Sequence, residues 1–357
     1  MKITAIWVYP IKALRGIPLH KAHLGPQGVK YDRRFMLFKV GDDGQLAKIQ
    51  LDRYPECSRF VQEIVGNEIH VRYQPPRDAL VPPRPEQSVV LRVPLDPDVS
   101  GLDRQVVNLH QALVDAYRMG AYFDEWFTAC FGFQTVLCYI GDERRPVFGT
   151  FSPRAQPAAS AAPPAKQGWL PYLSSFVWGD EQQQQQQQQQ PEADWLAFSD
   201  MAAYLVVTEK SLGNVNARLS SGPVDIVKFR PNIVVDGEGA DEFEEDFWAE
   251  LSIGGRPALA MTKLCNRCTS LNVDYETGRF GEGEKGMLLK KLMSDRRVDA
   301  GSKWTPVFGK YAFLVDGLDG VDISVGDEVA VTKRTSERPV WDWPYKDKTI
   351  ARFYRYA

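Results

Sequence analysis

The 357-residue sequence is short of cysteine and histidine, with five and four respectively, and it has no long apolar run. An odd number of cysteines without regular spacing argues against a disulfide framework and indicates a reducing compartment. A membrane-spanning helix needs about 20 consecutive apolar residues, so none is expected. The first residues follow a strand pattern and lack the regions of a signal peptide. These absences predict a cytoplasmic protein.

The sequence also lacks an excess of positive charge. It contains 43 Lys and Arg against 46 Asp and Glu, which gives a formal net charge of −3. Nucleic-acid binding depends on a basic field, so no nucleic-acid partner is expected. A hydrophobic content of 44% and a charged content of 25% are typical of soluble globular proteins. The length leaves room for two domains.

Most of the chain predicts a mainly β fold with peripheral helices, of the α+β class. Short segments rich in β-branched and aromatic residues alternate with prolines and glycines. The predicted strands cover residues 2–9, 34–40, 45–49, 68–73, 88–93, 105–108, 135–140, 203–208, 225–235, 258–261, 271–273, 311–315 and 323–331. Helices are predicted for residues 122–130, from Thr208 onward, and for residues 286–297. The aromatic stripe at 122–130 is interpreted as core.

Two segments do not follow the pattern of a packed domain. Residues 141–194 include a proline- and alanine-rich stretch and nine consecutive glutamines at 182–190. Such a composition buries too little apolar surface to offset the entropy of ordering, so we predict a disordered insertion. The tail, 334–357, is basic and aromatic, and is interpreted as solvated, with a docking surface as the alternative. The remaining segments, 1–140 and 195–333, are the two predicted domains.

Two of the five cysteines, Cys265 and Cys268, lie three residues apart between two predicted strands. Lys263 and Arg267 stand beside them. Cationic neighbours lower the pKa of a thiol, and the thiolate is the form that binds metals. The pair is therefore a candidate metal-binding or reactive site.

The spacing of this pair is consistent with four kinds of site. A structural zinc site needs four ligands, and the sequence offers no second Cys or His pair at similar spacing. A thioredoxin-like pair is expected to open a helix rather than join two strands. Two buried structural cysteines remain an alternative, because cysteine is among the most buried residue types. The fourth interpretation is a single thiolate bound to a metal that brings its other ligands with it.

A second informative stretch runs from Lys228 to Val235. Here Arg230 precedes Pro231 in a predicted strand, which leaves the guanidinium free to bind an anion bidentately. Taken alone, Arg230 is also consistent with an ordinary surface arginine.

Taken together and in order, these motifs resemble one family. They are Lys12-Ala13-Leu14-Arg15-Gly16, Asp32-Arg33-Arg34-Phe35, Lys228 to Val235, Cys265 to Cys268 and Thr305-Pro306-Val307-Phe308-Gly309-Lys310-Tyr311. The chain resembles MOSC-domain proteins with a MOSC N-terminal β-barrel domain, the group that contains the mitochondrial amidoxime-reducing component. The resemblance implies an N-terminal β-barrel-like domain packed on a MOSC β-barrel, with a cofactor between them. It covers neither the insertion nor the tail.

By this resemblance, the cofactor is the molybdenum cofactor, a metal–pterin unit with a phosphate. Cys268 would be the protein ligand to the metal, and Asp200 would handle protons beside it. The phosphate would be bound by Lys12, Arg34 and Arg230. The remaining residues implied to contact the cofactor are Met201, Ala202, Asn232, Asn266, Arg267 and Tyr311.

The resemblance implies an oxidoreductase that reduces N-hydroxylated compounds such as amidoximes and hydroxylamines. Electrons would come from a cytochrome b5-type protein and its NADH-dependent reductase. The alternative is a cofactor or sulfur carrier without turnover, as in the C-terminal domain of molybdenum-cofactor sulfurases. Those enzymes add a pyridoxal-phosphate domain, which no segment here resembles. A third possibility is a binding or scaffold protein that uses the glutamine tract.

Some positions depart from the family pattern. Ala13 stands where relatives usually have serine, so one hydroxyl contact to the cofactor is expected to be lost. Met201 and Ala202 replace smaller or hydroxyl residues, which is expected to change the shape of the substrate site. The membrane anchor of the mitochondrial relatives is not recognised in the sequence, and a peripheral mitochondrial location is the alternative to the cytoplasm.

Overall fold

The computed structural model describes residues 1–154 and 194–344, and strands predominate in them, so the predicted mainly β fold with peripheral helices is confirmed. In chain order, the strands before the gap are β1 (Ile3–Val8), β2 (Ile17–Leu19), β3 (Lys21–Gly25), β4 (Gly28–Val29), β5 (Phe35–Val40), β6 (Leu46–Lys48), β7 (Phe60–Val65), β8 (Glu68–Tyr73), β9 (Leu91–Pro94), β10 (Arg104–Leu109), β11 (Ala112–Arg118), β12 (Thr135–Tyr139) and β13 (Arg145–Pro146).

The strands after the gap are β14 (Trp195–Leu196), β15 (Tyr204–Thr208), β16 (Ile233–Val235), β17 (Trp248–Ile253), β18 (Arg256–Asn266), β19 (Val273–Asp274), β20 (Arg279–Phe280), β21 (Val307–Leu314), β22 (Val321–Ser324) and β23 (Val329–Arg334). The α-helices are α1 (Ala121–Phe131), α2 (Glu209–Asn216) and α3 (Leu288–Met293). Within the described residues, no helix combines the length and apolar character that a membrane crossing requires.

The largest sheet combines strands from both ends of the chain. Its order is β2-β1-β16-β15-β21-β18-β17-β23, and only the β15–β16 pair in it is parallel. In the register of β1 with β16, Ile6 lies opposite Ile233. A smaller sheet likewise pairs β3 with β22. The two predicted domains are therefore joined by shared sheets, since the first strands of the chain complete the C-terminal one.

The rest of the N-terminal part forms two further sheets, β10-β11-β12-β5-β6 and β7-β8-β9, with α1 packed beside them. The aromatic face of α1 is core, as the sequence predicted: Trp126 and Phe127 are buried, and their rings lie 5.9 and 5.7 Å from that of Phe60. The helix ends at Gly132, whose φ of 77° is the left-handed conformation that glycine adopts at low cost.

The start of α2 was also predicted correctly. Thr208 caps the helix, and its hydroxyl oxygen accepts a hydrogen bond from the backbone N–H of Ser211 at 3.0 Å. Such a cap typically contributes about 1 kcal/mol to stability. The cap fixes the direction in which the chain leaves β15, a central strand of the largest sheet.

The predicted strand at residues 225–235 is wrong for most of its length. Residues Ile226–Phe229 form a 3-10 helix, Arg230 has a left-handed φ of 55°, and only Ile233–Val235 is a strand. Pro231 disfavours the right-handed helical conformation for the residue before it and cannot donate a ladder hydrogen bond. Arg230 is therefore placed on a bend rather than along a strand.

Three other predicted boundaries also changed. The strand at 258–261 extends through Cys265 to Asn266, and residues Thr269–Asn272 form a 3-10 helix instead of a strand. The predicted strand at 323–331 is divided between β22 and β23, which belong to different sheets, because Gly326 turns the chain with a φ of 96°. The predicted helix at 286–297 is α-helical only over Leu288–Met293.

Parts of the segments predicted to lack packing are built into the fold. Residues 141–154 pack on the core through Phe148 and Phe151, and β13 pairs with β14. Residues 335–344 also pack on the body, where Trp343 is 4% exposed. Clusters of aromatic residues supply enough apolar surface to order both stretches. The prediction of disorder for residues 155–193, and any structure of residues 345–357, lie outside the described residues.

Candidate cofactor site

A cleft opens where the loop after β1, the loop before β15 and the C-terminal end of β18 meet. It has an inner compartment of about 120 Å³ and an outer compartment of about 820 Å³. Asp200, Arg267, Cys268 and Tyr311 line both compartments, so the two are continuous. Together they reach the size at which proteins usually bind cofactors and small molecules.

Cys268 lies at the junction of the two compartments. It directly precedes the 3-10 helix Thr269–Asn272, is exposed to solvent, and has its Sγ 3.1 Å from the hydroxyl of Ser270. The walls of the cleft desolvate the thiol and raise its pKa, outweighing the lowering effects of Ser270 and Arg267. The prediction that cationic neighbours give this thiol a lowered pKa is therefore wrong.

Cys265 has a different environment. It is 4% exposed within β18, and Nη1 of Arg267 donates a hydrogen bond to its sulfur at 3.0 Å. The predicted second cation, Lys263, does not face the pair, because its ammonium lies 3.2 Å from Oδ1 of Asp342. One sulfur is thus enclosed by the protein and the other is open to the cleft.

The protein supplies few other donors for a metal. Within residues 1–154 and 194–344, no group of three or more His, Cys, Asp or Glu side chains is arranged to hold a metal ion. A metal bound at Cys268 would therefore need most of its ligands from another source.

Two arginines flank an aromatic ring at the inner compartment. The guanidinium carbons of Arg230 and Arg33 lie 4.4 and 4.8 Å from the centroid of the Tyr9 ring. The ring itself is fixed, since Tyr9 donates its hydroxyl hydrogen to the carbonyl of Pro231. A Cβ at Gly16 would lie 2.5 Å from the Tyr9 ring, which explains a glycine in this motif. The arrangement places two cations at the inner wall.

Several buried polar atoms at this wall have no partner in the described structure. They are Nη2 of Arg230, Nε of Arg267 and Oδ1 of Asn266. All three residues line the inner compartment. A buried polar atom left unpaired costs about 1–3 kcal/mol, so such atoms mark a site for a polar ligand. Two donors and one acceptor beside two arginines fit an anionic ligand with a hydrogen-bonding ring system.

Lys12 and Asp200 form an ion pair at the edge of the same compartment. Nζ of Lys12 lies 2.5 Å from Oδ1 of Asp200 and donates to the carbonyl of Phe198 at 2.8 Å. Nε2 of His110 lies 3.0 Å from the same carboxylate oxygen. His110 stands in the tight turn between β10 and β11 with a left-handed φ of 57°.

The three groups shift one another's pKa values. Burial lowers the pKa of Lys12 to about 8, although the Asp200 carboxylate opposes this. Burial would raise the pKa of Asp200, but Lys12 and His110 hold it well below its usual range. Burial lowers the pKa of His110 to about 4, so its ring is neutral near pH 7. Lys12 is therefore the member of this cluster that titrates closest to neutral pH.

The loop that carries Asp200 is held by an arginine from outside the predicted domains. Arg145 is fully buried, and its guanidinium donates to the carbonyls of Ala197 at 3.0 Å and Asp200 at 2.8 Å, and also to that of Ser199. These bonds fix the backbone of the loop. This contact was missed because Arg145 lies in the segment predicted as an insertion.

The structure brings most of the predicted site residues to the cleft. The inner compartment is lined by Lys12, Asp200, Ala202, Arg230, Asn232, Asn266, Arg267, Cys268 and Tyr311, and Met201 lines the outer one. The amide of Asn232 is largely used by the protein: its Oδ1 accepts from the backbone of Leu205 and its Nδ2 donates to the carbonyl of Trp7. It therefore supports the wall rather than offering free groups.

Two predicted members of the phosphate site make other contacts in the structure. Arg34 does not line the cleft; its guanidinium donates to the carbonyl of Gly141 and packs over the Tyr139 ring. Its neighbour Arg33 occupies the cleft instead. Lys12 lines the cleft, but its charge is already paired with Asp200. The local sequence could predict neither that Arg33 lines the cleft nor that His110 contacts Asp200.

Comparison with known proteins places this cleft between two recognised segments. Residues 1–134 match the model of the MOSC N-terminal beta barrel domain, and residues 193–330 match the model of the MOSC domain. Mitochondrial amidoxime-reducing component 1 of Homo sapiens is 36% identical over 140 residues, which cover 38% of this chain and 39% of that protein.

Two further relatives match over similar lengths. Mitochondrial amidoxime reducing component 2 of Bos taurus is 37% identical over 140 residues, covering 38% of each chain. Molybdenum cofactor sulfurase of Oryza sativa subsp. japonica is 31% identical over 149 residues, covering 38% of this chain and 17% of the sulfurase. The matched part thus spans less than half the length of each of these relatives.

Proposed function

Because the chain belongs to the family that joins a MOSC N-terminal β-barrel domain to a MOSC domain, we propose that it is a molybdenum-cofactor-dependent reductase of N-hydroxylated compounds. The observation that carries this proposal is the asymmetry of the cysteine pair. Cys265 is enclosed and hydrogen-bonded, whereas Cys268 opens to a cleft whose inner wall is cationic.

The residues present fit the cofactor at both of its ends. Cys268 would supply one thiolate to the metal, and the pterin would supply further sulfur ligands, which suits a site where the described residues form no group of three or more metal-binding side chains. Nη2 of Arg230 has no hydrogen-bond partner among the described residues and would donate to the phosphate, whereas the neighbouring Arg33 is already ion-paired with Asp32. The unpaired atoms of Asn266 and Arg267 would bond the ring system.

When bound, the cofactor would supply the two electrons that cleave the N–O bond, converting an amidoxime, two electrons and two protons to an amidine and water. The chain's own groups manage the protons. Lys12, with a pKa of about 8, carries a proton at neutral pH and is close to releasing it. Asp200 stays ionised, so it orients the N-hydroxyl group and holds the Lys12 ammonium in place. This revises the predicted role of Asp200 as a proton carrier.

We propose that the electrons come from a separate protein, a cytochrome b5-type donor with its NADH-dependent reductase. The support is the likeness to amidoxime-reducing components, which are named as components of a reducing system. Small N-hydroxylated compounds would enter through the outer compartment, which reaches Cys268 from the solvent side.

The test compares two variants of the cysteine pair. Protein expressed in a host that makes the cofactor should contain about one molybdenum per chain and reduce benzamidoxime with a supplied donor. Cys268→Ser should abolish reduction and lower molybdenum content while leaving the fold intact. Cys265→Ser is the matched control and should retain both. Protein that carries zinc or no metal, or activity that depends on Cys265 instead, would refute the assignment.

A second candidate is a carrier that binds the cofactor, or a sulfur atom on Cys268, and passes it on. The match to a molybdenum cofactor sulfurase and the exposure of Cys268 favour it. A carrier would show bound cofactor, or an intact mass raised by one sulfur atom and lost in Cys268→Ser, with no reduction of benzamidoxime.

A further inference from the structure

A segment outside both family matches forms part of the outer compartment. After β23 the chain returns across the cleft, and residues 335–344, the C-terminal strap, supply Trp341, Asp342, Trp343 and Pro344 to its lining. The MOSC match ends at residue 330. This wall therefore lies beyond the matched MOSC segment, at the side of the cleft through which a substrate would enter.

The first half of the strap is fixed by charged and backbone contacts. Nε of Arg338 lies 2.7 Å from Oδ2 of the buried Asp246, and the backbone N–H of Trp341 donates to Oδ1 of the buried Asp299 at 2.9 Å. A Cβ at Gly301 would lie 2.0 Å from the carbonyl oxygen of Trp341. The strap can approach this closely only because residue 301 has no side chain.

The second half is held through Asp342. Its Oδ2 accepts hydrogen bonds from the backbone and hydroxyl of Thr150 at 2.8 and 2.7 Å, and its Oδ1 lies 3.2 Å from Nζ of Lys263. Gly149, with a φ of 60°, would place a Cβ 2.6 Å from the same carboxylate. Because these contacts are made on both sides of the C-terminal strap, they hold it in a single position against the cleft.

The two tryptophans of the strap have different roles. Trp343 is 4% exposed, its Nε1 donates to the carbonyl of His110 at 3.0 Å, and its ring lies 5.3 Å from that of Phe151. It anchors the strap to the turn that contacts Asp200. Trp341 is only half-buried and lies edge-to-face with Phe151 at 4.8 Å. Trp341 also lines the outer compartment.

We propose that the C-terminal strap selects N-hydroxylated substrates that carry a planar aromatic group, with Trp341 as the residue that contacts that group. The inference rests on the proposed function for the identity of the reacting end. Its physical basis is that aromatic rings stack on or against an indole for about 0.5–1.5 kcal/mol beyond the area they bury. Met201 is buried and also lines the outer compartment, where its thioether adds polarizable apolar surface.

Trp341 also packs on Phe151. If its role were only structural, replacing it would lower the stability of the protein without changing its selectivity between substrates. Selectivity distinguishes the two roles because it compares two substrates on one protein. Benzamidoxime and acetamidoxime have the same reacting group and differ in a phenyl ring against a methyl group. Trp304 is the matched control, since it lies in the neighbouring loop, is 80% exposed, and does not line the outer compartment.

The experiment measures KM in the presence of an electron donor and, separately, Kd without any donor, for both compounds. In Trp341→Ala we expect both constants for benzamidoxime to rise about twofold to tenfold, the factor equivalent to the stacking energy. The constants for acetamidoxime should stay unchanged, and Trp341→Phe should recover most of the loss. Trp304→Ala should behave as the unmodified protein, and molybdenum content should be equal in all.

The binding arm separates the two proposals. Aryl-selective loss of binding in Trp341→Ala supports the role of the strap even if the unmodified protein reduces neither compound, which would refute only the proposed function. Equal changes for both compounds, no change for either, or the same change in Trp304→Ala would overturn the role of the strap.

Discussion

Nζ of Lys12 lies 2.5 Å from Oδ1 of Asp200, which pairs a cation from the loop after β1 with an anion from the loop before β15. The pair is completed by His110, whose ring remains neutral because burial lowers its pKa to about 4. A carboxylate held between an ammonium and a neutral imidazole keeps its charge across the physiological range. Proton release at this site therefore depends on the lysine.

The first prediction concerns this lysine and the pH dependence of activity. Because burial lowers the pKa of Lys12 to about 8, the ammonium is present below that pH and lost above it. We expect kcat/KM for benzamidoxime to fall as the pH rises through about 8. Lys12→Arg keeps the charge but cannot release a proton at these pH values, so both Lys12→Arg and Lys12→Met should have lower activity at every pH and lack the falling limb near pH 8. A profile identical in the unmodified protein and Lys12→Arg would contradict this.

The second prediction compares Arg230 and Arg34, which the sequence assigned to the same phosphate site. In Arg230, Nη1 donates to the carbonyl of Leu14, whereas Nη2 has no partner among the described residues. Arg230→Lys keeps the positive charge but loses the planar fork of the guanidinium. We expect about tenfold weaker retention of the pterin, measured as pterin per chain after dialysis. Arg34→Lys is the control and should leave pterin content unchanged, since Arg34 lies outside the cleft. Equal losses in the two variants would argue against a phosphate site at Arg230.

The third prediction concerns stability. Glu245 is fully buried, bonded to Ser211 at 2.8 Å, and burial raises its pKa to about 7. The raised pKa means that the folded protein favours the protonated form, so its contribution to stability is complete below about pH 4.5 and is lost as the pH rises through 7. Glutamine cannot ionise, so Glu245→Gln avoids the cost of burying a carboxylate at high pH. Its free energy of unfolding at pH 8 should exceed that of the unmodified protein by up to about 3 kcal/mol.

Urea unfolding at pH 4.5 and pH 8 measures the effect. The difference between Glu245→Gln and the unmodified protein should be small at the lower pH and large at the higher one. Glu242→Gln, at an exposed site three residues away, should show no such dependence. An unchanged difference at the two pH values would show that Glu245 does not titrate in this range.

The fourth prediction tests the fit of the C-terminal strap on the body. Gly301→Ala would place a methyl group 2.0 Å from the carbonyl oxygen of Trp341, and one of the two backbones must move. We expect a loss of about 1–3 kcal/mol in the free energy of unfolding and faster proteolysis after residue 334. Gly101→Ala, where the added Cβ meets nothing within 4 Å, is the control. A protease-resistant Gly301→Ala protein would show that the strap is not seated on Gly301.

The sequence predicted the elements whose signal is local. The aromatic face of α1 and the start of α2 at Thr208 each depend on residues within a few positions of one another, and the structure has them where they were expected. The cysteine pair does not lie between two strands as predicted, since Cys265 is within β18 and Cys268 precedes a 3-10 helix. Most of the residues predicted for the cofactor site line the cleft, because the motifs that carry them were recognised as motifs of one family.

The errors in the site arose from contacts between distant residues. Arg33 and Arg34 are adjacent, and the left-handed φ of 50° at Arg33 decides which one enters the cleft. His110 is 90 positions from Asp200, and Arg145 is 55 from it. Nothing in the neighbourhood of either residue reveals the partner, since the pairing is set by how the sheets assemble. The same holds for the strap, whose charge suggested solvation although its tryptophans pack on the core.

The pairing of β1 with β16 has a consequence for how the chain acquires its structure. β1 cannot pair with β16 until the long segment between them has also been synthesised, and such distant pairings form slowly. Until β1 pairs, the side chains of Ile3, Ile6 and Val8, which are buried in the folded protein, are exposed and can associate with other chains. The glutamine-rich segment lies between the two partners, yet each doubling of a flexible connection adds only about 0.6 kcal/mol of closure entropy. Evolution can therefore lengthen that segment at little thermodynamic cost, while any change in β1 affects the nascent protein throughout its synthesis.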